Sequence, residues 1–293
     1  MIRTRVLVGS LLALGAAGVL FGDTYLALNW FPSRFPFLFA FLMLAGVLGS
    51  RELVNLLPAA HRPSATLVTL GVLLLLAANW YRVIRYDLGL PPLSVWSMLL
   101  AVFVGVLIAA FLLEMRWYSG EPGTAVPRLA LTVFAVAYLG LLPSFFAQIR
   151  WLSLAPVTSA VMLALVIFVP KCNDIGAFFT GTFLGRHKMT PTLSPKKTWE
   201  GFAGGMLTGA AAAVGLSFAA PVFRGGALEA AFFGLAVGLA GVLGDLAESL
   251  IKRDCQTKDA SKSIPGFGGV LDVIDSVLFA APVAYLWFSW SAG

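Results

Sequence analysis

Apolar runs of about 18 residues or more recur along this 293-residue chain, and that is the length at which an α-helix spans the hydrocarbon of a bilayer. Inside lipid a segment must satisfy its own amides and carbonyls, so runs of this length select helices. The expected fold is all-α: a polytopic integral membrane protein of about nine transmembrane helices. Their expected positions are roughly 5–22, 35–50, 64–81, 92–113, 126–143, 153–171, 201–220, 227–245 and 270–290. The second run is short and flanked by Pro32, Pro36 and Pro58. Residues 1–21, with Arg3 and Arg5 before an apolar stretch, also fit a secretory signal, but the many later runs favour a retained first helix.

Only 12% of the residues are charged, about half the usual share of a soluble domain, which leaves no soluble domain of any size. No internal repeat or low-complexity linker divides the chain. The expectation is one membrane domain over 1–293, with N-terminal helices to 170 and a motif-bearing part from 171. Cys172 and Cys255 are too few for a disulfide framework, and His61 and His187 cannot form a His-rich metal site. The net charge of +6 is ordinary for basic loops at a membrane and does not call for nucleic acid.

Lysine and arginine positions set the orientation. With the N-terminus cytoplasmic, 15 of the 20 basic residues fall on the inside, leaving Arg34, Arg82, Arg85, Arg150 and Arg224 outside. The same threading puts 171–200 and 244–276 on one cytoplasmic face. Those two segments hold 17 of the 34 charged residues, nine basic and eight acidic. A solvated loop needs neither the concentration nor both signs. A site for a metal and a polyphosphate needs both, with carboxylates for a hard cation and Lys or Arg for phosphate oxygens.

In the first segment Asp174 directly follows an apolar run, and Gly181 and Gly185 lie four apart, where small residues also serve plain helix packing. Ser194-Pro195-Lys196-Lys197 reads as a helix start, Ser194 as N-cap and Pro195 at the first position. Two lysines in a first turn oppose the helix dipole, so an anion there, or an anionic lipid surface, accounts for them better than helix stability does. Glu200 lies close behind and could orient a lysine or join a metal site.

In the second segment Asp245, Glu248, Ser249 and Lys252 share one helix face. Lys252 and Arg253 offer phosphate donors, and Lys258 and Asp259 follow in a loop. Pro265-Gly266 and Gly268-Gly269 break regular structure and permit close backbone approach. Asp272 and Asp275 open the last helix on one face, either as dipole partners or as a Mg²⁺ pair.

The stretch from Ser249 to Ser276 resembles the signature of phosphatidate cytidylyltransferases, also called CDP-diacylglycerol synthases, in its order and spacing of Ser249, Lys252, Arg253, Lys258, Asp259, Pro265, Gly266, Gly268, Gly269, Asp272, Asp275 and Ser276. Asn173-Asp174, Gly181, Gly185, the run Ser194 to Gly201 and Gly244-Asp245 resemble the family's pattern too. The chain departs from it at Phe267, where the family has His, and at Val273, where it has Arg. The resemblance implies CTP and phosphatidic acid as substrates, transfer of CMP to the lipid, release of pyrophosphate, and Mg²⁺ as cofactor. It implies Asp245, Asp272 and Asp275 as cation ligands with Asp174 as a further candidate. Lys252, Arg253, Lys258 and Asp259 form the expected catalytic set. Ser194, Lys196, Lys197, Thr198, Glu200, Ser249, Gly268 and Gly269 are expected at the substrates. A homodimer in a bacterial inner membrane is implied by the same likeness alone. Three other readings stay open at this stage: a transporter, another CTP-using lipid enzyme such as a polyprenol kinase, and an inactive homologue.

Overall fold

Ten helical rods make up a computed structural model that describes residues 2–30, 34–118 and 120–292. The side chains of Arg3 and Arg5, and Pro32, lie outside the described residues. The helices are α1 (Ile2–Asn29), α2 (Pro36–Leu56), α3 (Ala65–Ala78), a short α4 (Tyr81–Leu88), α5 (Val95–Arg116), α6 (Ala125–Val136) continued by α7 (Leu142–Ile149), α8 (Pro156–Phe183), α9 (Trp199–Ser217), α10 (Gly226–Asp254) and α11 (Val270–Ala292). The chain is an all-α polytopic membrane protein.

Among the described residues, seven stretches are long and apolar enough to cross a membrane: α1 from Leu7, α2, α5, α6 with α7, α8, α10 and α11 up to Ser291. The bent pair α3 and α4, 69° apart, makes an eighth if it counts as one span. The run expected at 201–220 forms α9, which does not reach that standard, so the expected count of nine spans stands at seven or eight. Leu100, Phe21, Phe232 and Trp290 turn their side chains outward, as they can where the surroundings are lipid.

Local chemistry explains where the rods begin. Pro156 sits in the first turn of α8 and Pro36 in that of α2, where a missing N–H costs nothing. Ser64 and Ser94 cap α3 and α5 by accepting the amides of Leu67 and Ser97. No side chain of its own caps α2; Asp23 reaches over from α1 and accepts the amides of Phe37 at 2.9 Å and Leu38 at 2.8 Å. A single π-turn, Ala137–Leu141, joins α6 to α7 and leaves Tyr138 buried.

The last four rods build the region of interest. α9 runs antiparallel to α8 and α10 and fits between them through a glycine stripe. At Gly205 a methyl group would stand 2.7 Å from the Asn173 carbonyl oxygen, so any larger residue would push α8 away. Gly181 meets Gly201 in the same seam, which gives it the plain packing role. Between α8 and α9 the chain makes a small antiparallel hairpin, β1 (Lys188–Thr190) with β2 (Ser194–Thr198), pairing Lys188 with Thr198 and Thr190 with Ser194.

That hairpin corrects one expectation. Ser194-Pro195-Lys196-Lys197 does not start a helix; it is strand β2. The N-cap of α9 is Thr198, whose hydroxyl accepts the Gly201 amide at 3.1 Å. The lysines therefore alternate along a strand, Lys196 outward and Lys197 half-buried, instead of crowding a first turn.

Candidate active site

The end of α8, the hairpin, the end of α10 and the start of α11 meet at one end of the bundle. The two polar segments are thus joined in space, as the charge pattern predicts. The five basic residues expected on the other side sit at the opposite end: Arg34 pairs with Asp87, Arg82 and Arg85 line a cavity with Gln148 and Tyr285, Arg150 bonds to Thr24, and Arg224 acts on Glu229, which is held by Trp287 and Ser291.

Three carboxylates form the centre: Asp245 and Glu248 from α10, and Asp275 from α11. One oxygen of each lies within 4.8 Å of the others. Asp245 and Glu248 are three residues apart on one helical face, as their spacing predicts. Asp275 comes close because Gly244 has no side chain: a methyl there would collide with the Asp275 carbonyl oxygen. Glu248 and Asp275 are buried. Like charges held this near one another in a low-dielectric setting repel, so the cluster needs cations.

Three lysines supply positive charge in different ways. Lys252 donates to Glu248 Oε2 at 2.7 Å and to Asp272 Oδ1 at 2.6 Å, and is closed between them. Lys197 reaches from β2 to Asp245 Oδ2 at 2.7 Å. Lys171, on α8 one residue after Pro170, donates to Ser276 Oγ at 2.9 Å and stands 3.7 Å from Asp275 Oδ1 and 3.9 Å from Asp174 Oδ2.

A hard divalent cation fits this centre. The available ligands are carboxylate oxygens without sulfur or imidazole, the donor set of Mg²⁺ and Ca²⁺. Glu248 Oε1 is buried and has no hydrogen-bond partner, an oxygen with bonding capacity to spare.

The other predicted residues sort by what they touch. Asp272 stands apart from the three-carboxylate group: besides Lys252, it accepts the amides of Gly269 at 2.7 Å and Ala260 at 3.0 Å, so both oxygens are engaged in holding the loop onto the start of α11. Asp174 lies at the rim, loosely paired with Lys171. Glu200 accepts the His187 ring nitrogen at 2.6 Å and the amides of Arg186 and His187, and so fastens the turn after α8 rather than a lysine. These hydrogen bonds, led by the one from His187, hold its carboxyl at about 2. Arg253 donates to the Leu193 carbonyl at 3.3 Å, tying α10 to the hairpin. Ser194 and Ser249 are half-buried, and Lys196, Lys258 and Asp259 are exposed. Among the described residues no ion pair involves Lys196 or Lys258. The Gly268 amide donates to the Ile264 carbonyl and that of Gly269 to Asp272, so neither is turned outward to a ligand.

Four neighbours escape the sequence patterns. The sequence marks Glu248 only as a member of a helix face, and Lys171 only as one of the 15 basic residues on the inside. Glu52, on α2, accepts Ser261 Oγ at 2.7 Å and the Leu271 amide at 3.0 Å, binding the loop to a helix more than two hundred residues away in the chain. Tyr138, in the π-turn, is buried within electrostatic reach of Asp275, Glu248 and Asp245, and its hydroxyl has no partner. A buried charge inside a hydrophobic run was the available signal for Glu52; nothing in the local sequence marks Tyr138.

The cytidylyltransferase family model matches residues 5–290, and the chain belongs to that family. It is 39% identical over 116 residues to the phosphatidate cytidylyltransferase of Mycobacterium bovis, covering 39% of this chain and 37% of that protein. It is 42% identical over 119 residues to the enzyme of that name from Haemophilus influenzae, covering 39% of this chain and 41% of that protein. The uncharacterized Escherichia coli protein YnbB is 42% identical over 114 residues, covering 39% of this chain and 37% of that protein. The matches span about two fifths of the length of these curated relatives.

Proposed function

We propose that this protein transfers CMP from CTP to phosphatidate, giving CDP-diacylglycerol and pyrophosphate, with Mg²⁺ held by Asp245, Glu248 and Asp275. The observation that carries the reading is the three-carboxylate centre with an unpartnered Glu248 oxygen, ringed by Lys171, Lys197 and Lys252. The names of the Mycobacterium bovis and Haemophilus influenzae relatives support the choice of substrates.

In this reaction a phosphatidate phosphate oxygen forms a bond to the α-phosphorus of CTP. The bond from that phosphorus to the α,β-bridging oxygen breaks, and its electron pair leaves with pyrophosphate. The nucleophile is already anionic at neutral pH, so no strong general base is required, and Phe267 in place of His is compatible with turnover. The chief obstacle is charge, since an anionic lipid must approach an anionic nucleotide, and positioning with electrostatic neutralisation does most of the work in such transfers. When bound, Mg²⁺ supplies part of that neutralisation at the phosphates. Lys197 and Lys196, on one strand, Arg253 in the last turn of α10 and Lys258 beyond that helix supply the rest. Lys252 holds Glu248 and Asp272 in place. The basic-residue bias supports an orientation with this end of the bundle toward the cytoplasm of a bacterial cell, where CTP is dissolved and the lipid is within lateral reach.

The test is incubation of the purified protein with CTP labelled at the α-phosphate, phosphatidate and Mg²⁺. Label is expected in a lipid product, with one pyrophosphate released per label and both lost in EDTA. Labelled lipid formed undiminished in EDTA would remove the metal from the mechanism. Transfer of the CTP γ-phosphate to a lipid alcohol, with none of the α-label, would make the protein a kinase instead.

A further inference from the structure

We infer that Lys171 is a phosphate-binding residue of this centre, and that it opposes the cation at Asp275. The inference rests on the reading of Asp245, Glu248 and Asp275 as a cation site.

The three lysines around the carboxylates are not equivalent. Lys252 is clamped by two carboxylates at 2.7 and 2.6 Å and is largely shielded from solvent, so it is fixed. Lys197 is bonded to one carboxylate at 2.7 Å. Lys171 has no carboxylate at hydrogen-bonding distance. Its one close partner is the neutral Ser276 hydroxyl at 2.9 Å, and its two acidic neighbours stand off at 3.7 and 3.9 Å. A third of its side-chain surface remains exposed, so at least one N–H can turn toward a ligand.

Its place on the helix is also constrained. Pro170 interrupts the α8 hydrogen-bond ladder just before it, and Gly241 of α10 packs against the Pro170 ring, its missing methyl falling 2.8 Å from Pro170 Cβ. Lys171 is therefore carried on a helical turn seated against α10, the helix that bears Asp245 and Glu248. An ammonium seated there lies beside the anions that a cation at Asp275 would draw in. It also repels that cation directly, since two positive charges share one carboxylate neighbour. A phosphate ligand relieves the conflict by meeting both.

Two effects of opposite sign follow from removing this charge. Lys171→Gln should bind Mg²⁺ alone about tenfold more tightly, because a like charge 3.7 Å from Asp275 Oδ1 is removed. The same variant should bind Mg²⁺–pyrophosphate about tenfold more weakly, the scale of one lost charge-assisted hydrogen bond. Lys171→Arg should restore most of the pyrophosphate affinity. A merely structural lysine, there to balance buried Asp275, predicts a different pattern: a lower thermal midpoint and both affinities falling together.

The experiment is calorimetric titration of Mg²⁺, and then of pyrophosphate at saturating Mg²⁺, into the full-length wild-type protein, Lys171→Gln, Lys171→Arg and Asp275→Asn, with thermal midpoints recorded for each. Mg²⁺ binding that Asp275→Asn weakens and Lys171→Gln tightens, with pyrophosphate binding moving the other way, supports the assignment. Mg²⁺ binding that Asp275→Asn leaves untouched overturns the cation site itself. Binding that depends on Asp275 but is unchanged or weakened in Lys171→Gln overturns the role of Lys171 alone, as does undiminished pyrophosphate affinity in that variant.

Discussion

The two ends of the bundle both bury charge, and they do it in opposite ways. At the far end Arg150 is 1% exposed and donates to the Pro156 carbonyl and Ser159 Oγ, both at 2.7 Å, and to Thr24 Oγ1 at 2.9 Å, with its guanidinium 4.4 Å over the Phe35 ring. Asp23 beside it spends both oxygens on the first amides of α2. Of the polar atoms of these two side chains, Arg150 Nε alone lacks a hydrogen-bond partner among the described residues. At the near end three carboxylates crowd together, Glu248 Oε1 and the Tyr138 hydroxyl are unpartnered, and one lysine is held only by a hydroxyl. A closed network fixes a structure; an open one of like charges has bonding capacity reserved for something that is not protein.

The contrast is broken most directly by exchanging the fates of the two ends. Asp275→Asn should reduce CMP transfer by more than about 100-fold, since even the outer hydrogen-bond partners of metal ligands are worth 10 to 100-fold. Its thermal midpoint should hold or rise, because one of three mutually repelling carboxylates has gone. Arg150→Met should do the reverse: a loss of about 3–5 kcal/mol in stability, the cost of removing one member of a buried charged network, with the Mg²⁺ dependence of turnover unchanged. Chemical denaturation and the labelled-CTP assay, run on both variants, decide it. If Arg150→Met changed the Mg²⁺ requirement, or Asp275→Asn unfolded the chain, the division between a structural and a chemical end would fail.

That division was partly legible in the sequence. Apolar runs gave the positions of the rods, because in lipid a helix is the one way to satisfy an isolated backbone segment. The three-residue spacing of Asp245 and Glu248 placed both on one face, and Asp272 and Asp275 did open the last helix. What the pattern could not separate was which of these acids is already engaged. Asp272 and Asp275 look alike in one dimension. Only the folded loop brings the Ala260 and Gly269 amides to Asp272, and only the absent side chain of Gly244 lets Asp275 approach α10. Ser194-Pro195 misled for a related reason. It has the chemistry of a helix start, but pairing with Lys188–Thr190 takes its backbone, and the cap role passes to Thr198 four residues on. Glu52 was hidden by distance along the chain: no local rule connects α2 to Leu271.

Glu52 sharpens the comparison because it behaves at the near end as Asp23 does at the far end. Both are acids of one helix that accept backbone amides at the start of another. Glu52→Gln should therefore act as a structural change within the chemical end. Losing a charged acceptor for the buried Leu271 amide costs about 1–3 kcal/mol of local stability. Hydrogen exchange should accelerate at Leu271 and through the loop from Ser261, while Mg²⁺ affinity falls less than it does in Asp275→Asn.

The smallest effect belongs to Glu200, and it asks whether nearness to the site is enough to make an acid chemical. Its carboxyl lies at about 2, below the ordinary 4.5, because the His187 ring and the Arg186 and His187 amides stabilise its charged form. A lowered value means its contribution is complete above 4.5 and lost only as pH falls through about 2. Between pH 8 and 5 the carboxylate should thus keep the turn fastened without change. Glu200→Gln should raise hydrogen exchange at Arg186 and His187 a few-fold and leave Mg²⁺ affinity within about twofold of wild type, the small effect expected of an exposed pair. If Mg²⁺ affinity instead fell as far as in Asp275→Asn, the open centre would have to extend to Glu200. Satisfied hydrogen bonds would then no longer distinguish a structural acid from a ligand at this end.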